Sequence, residues 1–338
     1  MRYPITLMEG DGIGPEVTGA AVRVVDCAVD GRIDWERVPA GLAATGRGLP
    51  PFPPEAEASL RRTRIGLKGP LTTPVGTGFR SVNVTMRQAL DLYACLRPVR
   101  SLPGVKKARY QGVDLVLVRE NTEGLYSGVE HEVVPGVVEA LKIVTRRASL
   151  RVARWAFEYA RTQGRKKITV VHKATVMPLS DGLFLDCARE VAADYPYLEV
   201  ETMLLDNLAM ELVRDPGRFD VVVLGNLDGD LVSDLCAGLV GGLGVVPGAN
   251  IGDGHAVFEA VHGSAPDIAG QGRANPIAVT LSAALMLRHI GERRAAARIE
   301  HAVDAVLSAG ATLTPDLGGR ASTTDLCEAL LAAVEASP

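Results

Sequence analysis

Apolar residues along this chain fall into two rhythms. Short runs rich in Val, Ile and Leu occur at residues 4–8, 113–118, 167–171 and 220–224. Continuous β-branched runs of that length predict strands buried on both faces. Elsewhere the apolar positions recur every three to four residues, the period of a helix, most clearly over 149–162, 179–194, 277–289 and 293–308. A glycine turn at 9–14 follows the first run. Pro15 then opens a helix predicted from Glu16 to about Val29, a good use of proline at a first helical position. Strands alternating with helices predict an α/β fold with a largely parallel or mixed sheet.

The chain has 338 residues, enough for two domains or one large α/β unit. It contains no Ser/Gly tract, charge block or solenoid-length repeat. Two lobes without a linker suggest an interleaved arrangement, in which the chain crosses from one to the other and returns. Residues 39–54, rich in Gly, Ala and Pro, read as a surface connection. Residues 235–251 are almost uncharged but contain several glycines and Pro247. They read as a buried helix followed by a loop, because a membrane-spanning helix needs ~20 strongly apolar residues.

Composition narrows the class. Hydrophobic residues make up 47% and charged residues 22%, as in a globular protein; aromatics are only 4%, so the core must be mainly aliphatic. A net charge of −4 argues against general nucleic-acid binding, which needs a basic face. An anionic ligand must therefore be held by a local group of arginines. The cysteines are scattered, with no CxxC pair, which fits free thiols in a reducing cytosol. The N-terminus lacks the apolar stretch of a signal peptide, so a cytoplasmic protein with no membrane or nucleic-acid partner is expected.

Several segments carry candidate chemistry. In GNLDGDLVSDLCAGLVGGLG, residues 225–244, Asp230 and Asp234 stand at i and i+4. On a helix both point from one face, a half-site for a hard divalent cation. GDGIGP at 10–15 has the spacing G-x-G-x-G, not the G-x-G-x-x-G of a dinucleotide fingerprint, and reads as a tight turn or at most a wall of a site. Residues 68–100 combine glycine turns and hydroxyls with Arg80, Arg87, Arg97 and Arg100. Arginine forks suit carboxylates, and Ser81 and Asn83 add neutral partners. The ordinary alternative is a solvated helix face, but Arg97 lies between Leu96 and Pro98 after an apolar run. Arg119 follows a strand as a further carboxylate clamp. Tyr126 is either a packed aromatic or a proton donor. Lys173, just past a strand, is either an exposed charge or a base. Asp206 is either a helix N-cap or a metal ligand. In the Gly/Pro/Ala-rich loop 259–276, backbone amides could cradle phosphates. Asp267 could accept from a ribose hydroxyl, which favours NAD because a 2′-phosphate would be repelled.

Taken in order, these segments resemble the isocitrate/isopropylmalate dehydrogenase family of β-decarboxylating dehydrogenases. The likeness runs from GDGIGPE to TPDLGG at 314–319, with NLDGDLVSD, HGSAPDIAG and RSVNVTMRQALDLYACLRPVR as its most specific pieces. It implies a two-lobed isocitrate/isopropylmalate dehydrogenase-like α/β fold, not a standard Rossmann fold. The implied cofactor-binding lobe takes 1–98 plus 253–338. Residues 99–252 are implied to form the dimerisation and metal/substrate lobe, with a clasp near 126–147.

Residue by residue, the likeness implies substrate contacts from Ser81, Asn83, Arg87, Arg97 and Arg119, and catalytic roles for Tyr126 and Lys173. It implies Mg2+ or Mn2+ on Asp206, Asp230 and Asp234, and NAD on Thr73, His262, Gly263, Ala265, Asp267, Ile268 and Asn275. Lys173 and Asp206 are expected from a neighbouring subunit, in a homodimer or dimer-based oligomer with shared active sites. NADP-using relatives commonly carry Lys-Tyr at Asp267-Ile268, so NAD is expected.

Ser81, Asn83 and Arg87 match the S-x-N-x-x-x-R pattern of isocitrate enzymes, whose Ser and Asn contact the third carboxylate. The expected reaction is therefore the tricarboxylic acid cycle step from isocitrate to 2-oxoglutarate and CO2. The alternatives are the same chemistry on homoisocitrate, 3-isopropylmalate, tartrate or a specialised analogue such as a phosphonate, or a non-catalytic regulatory subunit. Ser81 matches a serine phosphorylated in some bacterial relatives. Asp228 departs from the family, which usually carries an uncharged residue there.

Overall fold

The computed structural model describes residues 2–72 and 81–337, so Thr73 and Arg80 lie outside the described residues. By contact the chain forms two units. The first takes residues 1–90, 101–111 and 237–338; the second takes 91–100 and 112–236. No helix among the described residues is long and apolar enough to cross a membrane.

The first unit opens with β1 (Tyr3–Met8), α1 (Gly14–Ala28), β2 (Ile33–Arg37), α2 (Leu42–Thr45), α3 (Pro54–Thr63), β3 (Ile65–Lys68) and α4 (Val82–Ala89). In the second unit follow β4 (Ala94–Arg100), β5 (Asp114–Glu120), β6 (Glu130–Val134), β7 (Val137–Ala140), α5 (Arg146–Thr162), β8 (Lys167–His172), α6 (Ser180–Ala192), β9 (Glu199–Leu204), α7 (Leu205–Arg214), β10 (Val221–Leu224) and most of α8 (Asn226–Val240). The chain then returns to the first unit with β11 (Pro247–Ile251), β12 (Ala256–Ala260), α9 (Ile277–His289), α10 (Arg293–Ala309) and α11 (Thr323–Ala336).

Strands of the first unit lie in the order β2-β1-β3-β12-β11. The first four are parallel and β11 runs antiparallel to β12. Leu67 of β3 stands beside Leu7 on one side and Phe258 on the other, and all three are buried. Full burial of such side chains contributes about 1.5–3 kcal/mol each. Helix α9 packs on β11 and β12 and also against α1 and α10. Surrounded in this way, it is apolar around most of its circumference, and ten of its residues are buried.

Strands of the second unit lie in the order β4-β5-β10-β8-β9. Only β4 is antiparallel; β5, β10, β8 and β9 run together. The continuous Val-rich runs are explained by helices on this sheet, with α5 against β5 and β10, and α6 and α7 against β8. Thr145 caps α5 by accepting from the Ala148 amide at 3.2 Å. Apart from this sheet, β6 and β7 form a hairpin whose residues are all exposed, including Val133, Val134, Val137 and Val138.

The expectation for residues 235–251 needs one correction. The helix is there and ends at Val240, but strand β11 replaces the expected loop. Gly248, Ala249 and Asn250 have little strand preference of their own. Pairing with β12 makes the strand, and the buried Asn250 amide donates to the β12 residue Glu259 at 2.7 Å.

Candidate active site

In the second unit, Arg97 on β4, Arg119 near the end of β5, Tyr126 on the 3-10 turn Leu125–Ser127, and Asp230 and Asp234 on α8 come together. Arg119 is 1% exposed. It donates twice to the Asn226 amide oxygen, from Nε at 3.0 Å and Nη2 at 2.7 Å, and from Nη1 to the Asp230 carboxylate. Its guanidinium lies 4.9 Å from the centre of the Tyr126 ring, within cation–π range. Tyr126 donates its hydroxyl to the other oxygen of Asp230. Arg97, also buried, donates to Ser233 and lies 3.5 Å from Asp230 and 3.6 Å from Asp234.

Close approach of α8 to β5 requires glycine at position 229. A Cβ there would sit 2.7 Å from Cβ and Cγ of Arg119. Burial, and then the bond to Asp230, push the Tyr126 phenol above its ordinary value against the pull of Arg119. Tyr126 is therefore a protonated donor at neutral pH. Asp230 and Asp234 do project from one face of a helix, turned toward a common guanidinium.

Lys173 and Asp206 form a second pair in the same unit, with Nζ 2.6 Å from Oδ1. That hydrogen bond holds the Asp206 carboxyl below its usual range. The N-cap of α7 is Leu204, and Asp206 lies inside the first turn, so the plain N-cap reading does not hold.

The first unit carries Ser81, Asn83 and Arg87 on or beside α4. Ser81 is the N-cap residue but makes no side-chain cap bond. Arg87 is buried, and its Nη2 lies 3.2 Å from Glu259. Glu259 also meets the sealed Lys68 ammonium at 2.5 Å. Burial alone would raise the Glu259 carboxyl; Lys68 and Arg87 together hold it far below its ordinary value. Two buried polar atoms on α4, Asn83 Oδ1 and Arg87 Nε, have no hydrogen-bond partner among the described residues.

Also in the first unit is a cleft of about 370 Å³ lined by Ile13, Gly244, His262, Ile268, Arg273, Ala274, Asn275, Pro315 and Asp316. His262, Ile268 and Asn275 are among the expected cofactor residues. Gly263, Ala265 and Asp267 belong to the same loop. The turn at 10–14 serves as a wall: the Ile13 amide donates to the Ser264 carbonyl at 2.9 Å. Gly12, at φ +59°, is required because a Cβ would meet that carbonyl at 2.0 Å.

A family profile described as isocitrate/isopropylmalate dehydrogenase matches residues 4–330. The chain belongs to this family. It is similar to an Arabidopsis thaliana protein named isocitrate dehydrogenase [NAD] catalytic subunit 6, mitochondrial, with 52% identity over 96% of this chain and 87% of the relative. It is equally similar, 52% over 90% of this chain and 85% of the relative, to the chloroplastic 3-isopropylmalate dehydrogenase of Solanum tuberosum. A solved structure, the isocitrate dehydrogenase from Methylococcus capsulatus, superposes with a TM-score of 0.95 at 50% identity, covering 98% of this chain and 99% of that one.

Against this isocitrate/isopropylmalate dehydrogenase background, the residues can be tested for the groups the family implies. Asp230 and Asp234 offer oxygen donors from one helix face, which fits a hard cation, although Arg97 and Arg119 engage the same carboxylates. They are only part of a ligand set: among the described residues no three acidic, His or Cys side chains converge. The cleft carries three of the residues expected to meet a dinucleotide, His262, Ile268 and Asn275. His262 is half-buried, its Nε2 is buried with no partner among the described residues, and burial lowers its basicity, so the ring is neutral at physiological pH and that nitrogen can accept a hydrogen bond. Ala265 adopts φ +37°, a conformation rare for a residue with a side chain, within this loop.

Sequence reasoning missed four contributors. Asn226 and Ser233 stand inside NLDGDLVSD, and Glu259 precedes HGSAPDIAG, so the motifs flagged their neighbourhood but not their bonds. Asp181, treated below, had no signal beyond its place near Lys173.

Proposed function

We propose that the chain oxidatively decarboxylates a 2-hydroxy acid with NAD and Mg2+ or Mn2+, and that the acid is isocitrate. The observation that carries this reading is the Asp230 carboxylate shared by two buried arginines and the Tyr126 phenol. Arg87, Arg97 and Arg119 hold the substrate carboxylates, fixing a geometry suited to reaction. Lys173 accepts the hydroxyl proton as the carbinol is oxidised to a ketone. After CO2 leaves, Tyr126 returns a proton to carbon, giving 2-oxoglutarate; its raised phenol suits a donor. Asp206, Asp230 and Asp234 would hold the cation, which lowers the pKa of an alcohol oxygen and steadies charge on it. His262, Gly263, Ala265, Asp267, Ile268 and Asn275 would hold NAD, the hydride acceptor, together with Thr73.

The active protein is a homodimer or dimer-based oligomer in which Lys173 and Asp206 serve the neighbouring site. The incomplete cation set in one chain and the exposed valines of the β6–β7 hairpin support this arrangement. The hairpin lies within the proposed clasp at 126–147. The proposed lobe roles, cofactor for 1–98 plus 253–338 and dimer and metal for 99–252, accompany this reading.

The equal likeness to a 3-isopropylmalate dehydrogenase gives a second reading, the same chemistry on that acid. Helix α4 favours isocitrate. The unpartnered Asn83 amide position, turned by a flip to present N–H, suits a carboxylate and would be left unsatisfied against an isopropyl group. NADH formation with isocitrate, homoisocitrate and 3-isopropylmalate, with and without EDTA, tests the proposal. Isocitrate should give the highest kcat/KM, lost in EDTA and restored by Mg2+ or Mn2+. No NADH from any acid would sink it, and a preference for 3-isopropylmalate would transfer it to the second reading.

A further inference from the structure

Asp181 lies in the first turn of α6 and is 4% exposed. One carboxylate oxygen accepts the Lys173 backbone N–H at 2.7 Å, and the other meets the Lys142 ammonium at 2.5 Å. Both contacts are short and charge-assisted. Lys142 comes from the segment that leaves the β6–β7 hairpin. That segment is stitched to its surroundings by backbone bonds, Leu141 N–H to Val129 O at 2.8 Å and Gly124 N–H to Ile143 O at 2.8 Å. Gly124 immediately precedes the turn that carries Tyr126. Asp228 lines the same small cavity as Lys142 and Asp181.

We propose that the Asp181–Lys142 ion pair is a positioning pair for Lys173, tying the main chain of that lysine to the strap that also anchors the Tyr126 turn. The inference rests on the reading of Lys173 as the proton-accepting group. Physically, Lys173 stands in the loop between β8 and α6. The backbone bond to Asp181 fixes where its side chain starts, and Nζ then reaches Asp206 at 2.6 Å. Asp181 can hold that amide in one place only if its own rotamer is fixed, and Lys142 fixes it. Neither residue touches the acid or the dinucleotide in this scheme. Their loss should therefore misplace a catalytic group while leaving substrate capture by the arginines intact.

The test uses the full-length protein and four variants: Lys142→Met, Lys142→Arg, Asp181→Asn and the Lys142→Met/Asp181→Asn double. Circular dichroism and size-exclusion chromatography establish folding and assembly. Steady-state kinetics then give kcat and the two KM values. A displacement of about 1 Å can cost on the order of 100-fold, so kcat should fall about 10–100-fold in Lys142→Met and Asp181→Asn. Both KM values should stay within about threefold. The double variant should lose no more than the worse single variant, because both break one link. Lys142→Arg should recover most of the rate, an outcome a merely structural defect would not give. If Lys142→Met does not fold, the milder Lys142→Gln replaces it, with hydrogen exchange at the Lys173 amide expected to quicken at least tenfold. Wild-type activity with unchanged kcat in folded variants, additive losses, or an unchanged exchange rate overturns the positioning role alone. An inactive wild type would overturn the proposed function and this inference together.

Discussion

Replacing Glu259 by Gln would test the packing logic of the first unit at its most charged point. Glu259 is 8% exposed and faces Lys68, Arg87 and Asn250 at 2.5, 3.2 and 2.7 Å. Glutamine keeps the shape and can still accept from Asn250, but it removes the only formal negative charge among these four residues. Lys68 is itself sealed from solvent and also donates to the Gly69 carbonyl at 2.9 Å, a neutral acceptor that cannot balance its charge. Removing one partner from a buried ion pair costs about 3–5 kcal/mol, because the other charge stays desolvated and uncompensated. For a unit of this size each kcal/mol lowers the melting temperature by about 2–4 °C, so Tm should drop by roughly 6–20 °C. The pH dependence has a definite sign. The folded-state carboxyl lies far below its ordinary value of 4.5, so its stabilisation is fully present above that value and is lost as pH falls through the folded value. The gap in Tm between wild type and variant should be constant at neutral pH and narrow only in strong acid. Differential scanning calorimetry from pH 2 to 8 reads both effects. A Tm within 2 °C of wild type at pH 7.5 would refute the argument, since the cluster would then be solvated or already tolerant of the missing charge.

Two further outcomes follow from the structure. Gly229→Ala should destabilise by about 1–3 kcal/mol as its new methyl group meets the immovable stem of Arg119. Gly238→Ala in the same helix, where a Cβ meets nothing within 4 Å, should instead stabilise by up to about 1 kcal/mol; urea melts of both compare them, and equal shifts would count against the close packing of α8 on β5. Asp267→Lys combined with Ile268→Tyr should move the kcat/KM ratio toward NADP by at least about tenfold, and an unchanged ratio would remove this loop from the proposed ribose contact.

What could be read from the chain alone divides along physical lines. Strands β5, β8 and β10 were legible because helices cover their sheet, which makes their apolar runs continuous. Helix α9 was legible to the residue, ending as Ile277–His289. Strands β3 and β11 were not, being four and five residues rich in small or polar types that become strands only through their neighbours. The facing pair Asp230 and Asp234 was legible because helical spacing is local. The roles of Asn226 and Glu259 were not, because their arginine partners stand 107 and 172 positions away in sequence. A motif marks where such residues gather, but periodicity cannot say which ones will meet.

The return of the chain to its first unit has a consequence for biosynthesis. Strand β12 is threaded between β3 and β11, although β3 ends at Lys68 and β12 starts only at Ala256. While the ribosome makes the intervening stretch, roughly ten to forty seconds at about 5–20 residues per second, β3 has no neighbour on that side. Its unpaired backbone groups form an adhesive edge through most of translation, whereas the second unit has all of its strands once Leu224 has emerged. The nascent chain therefore completes its middle before its beginning, and its interval of greatest exposure to misassociation is written into the strand order.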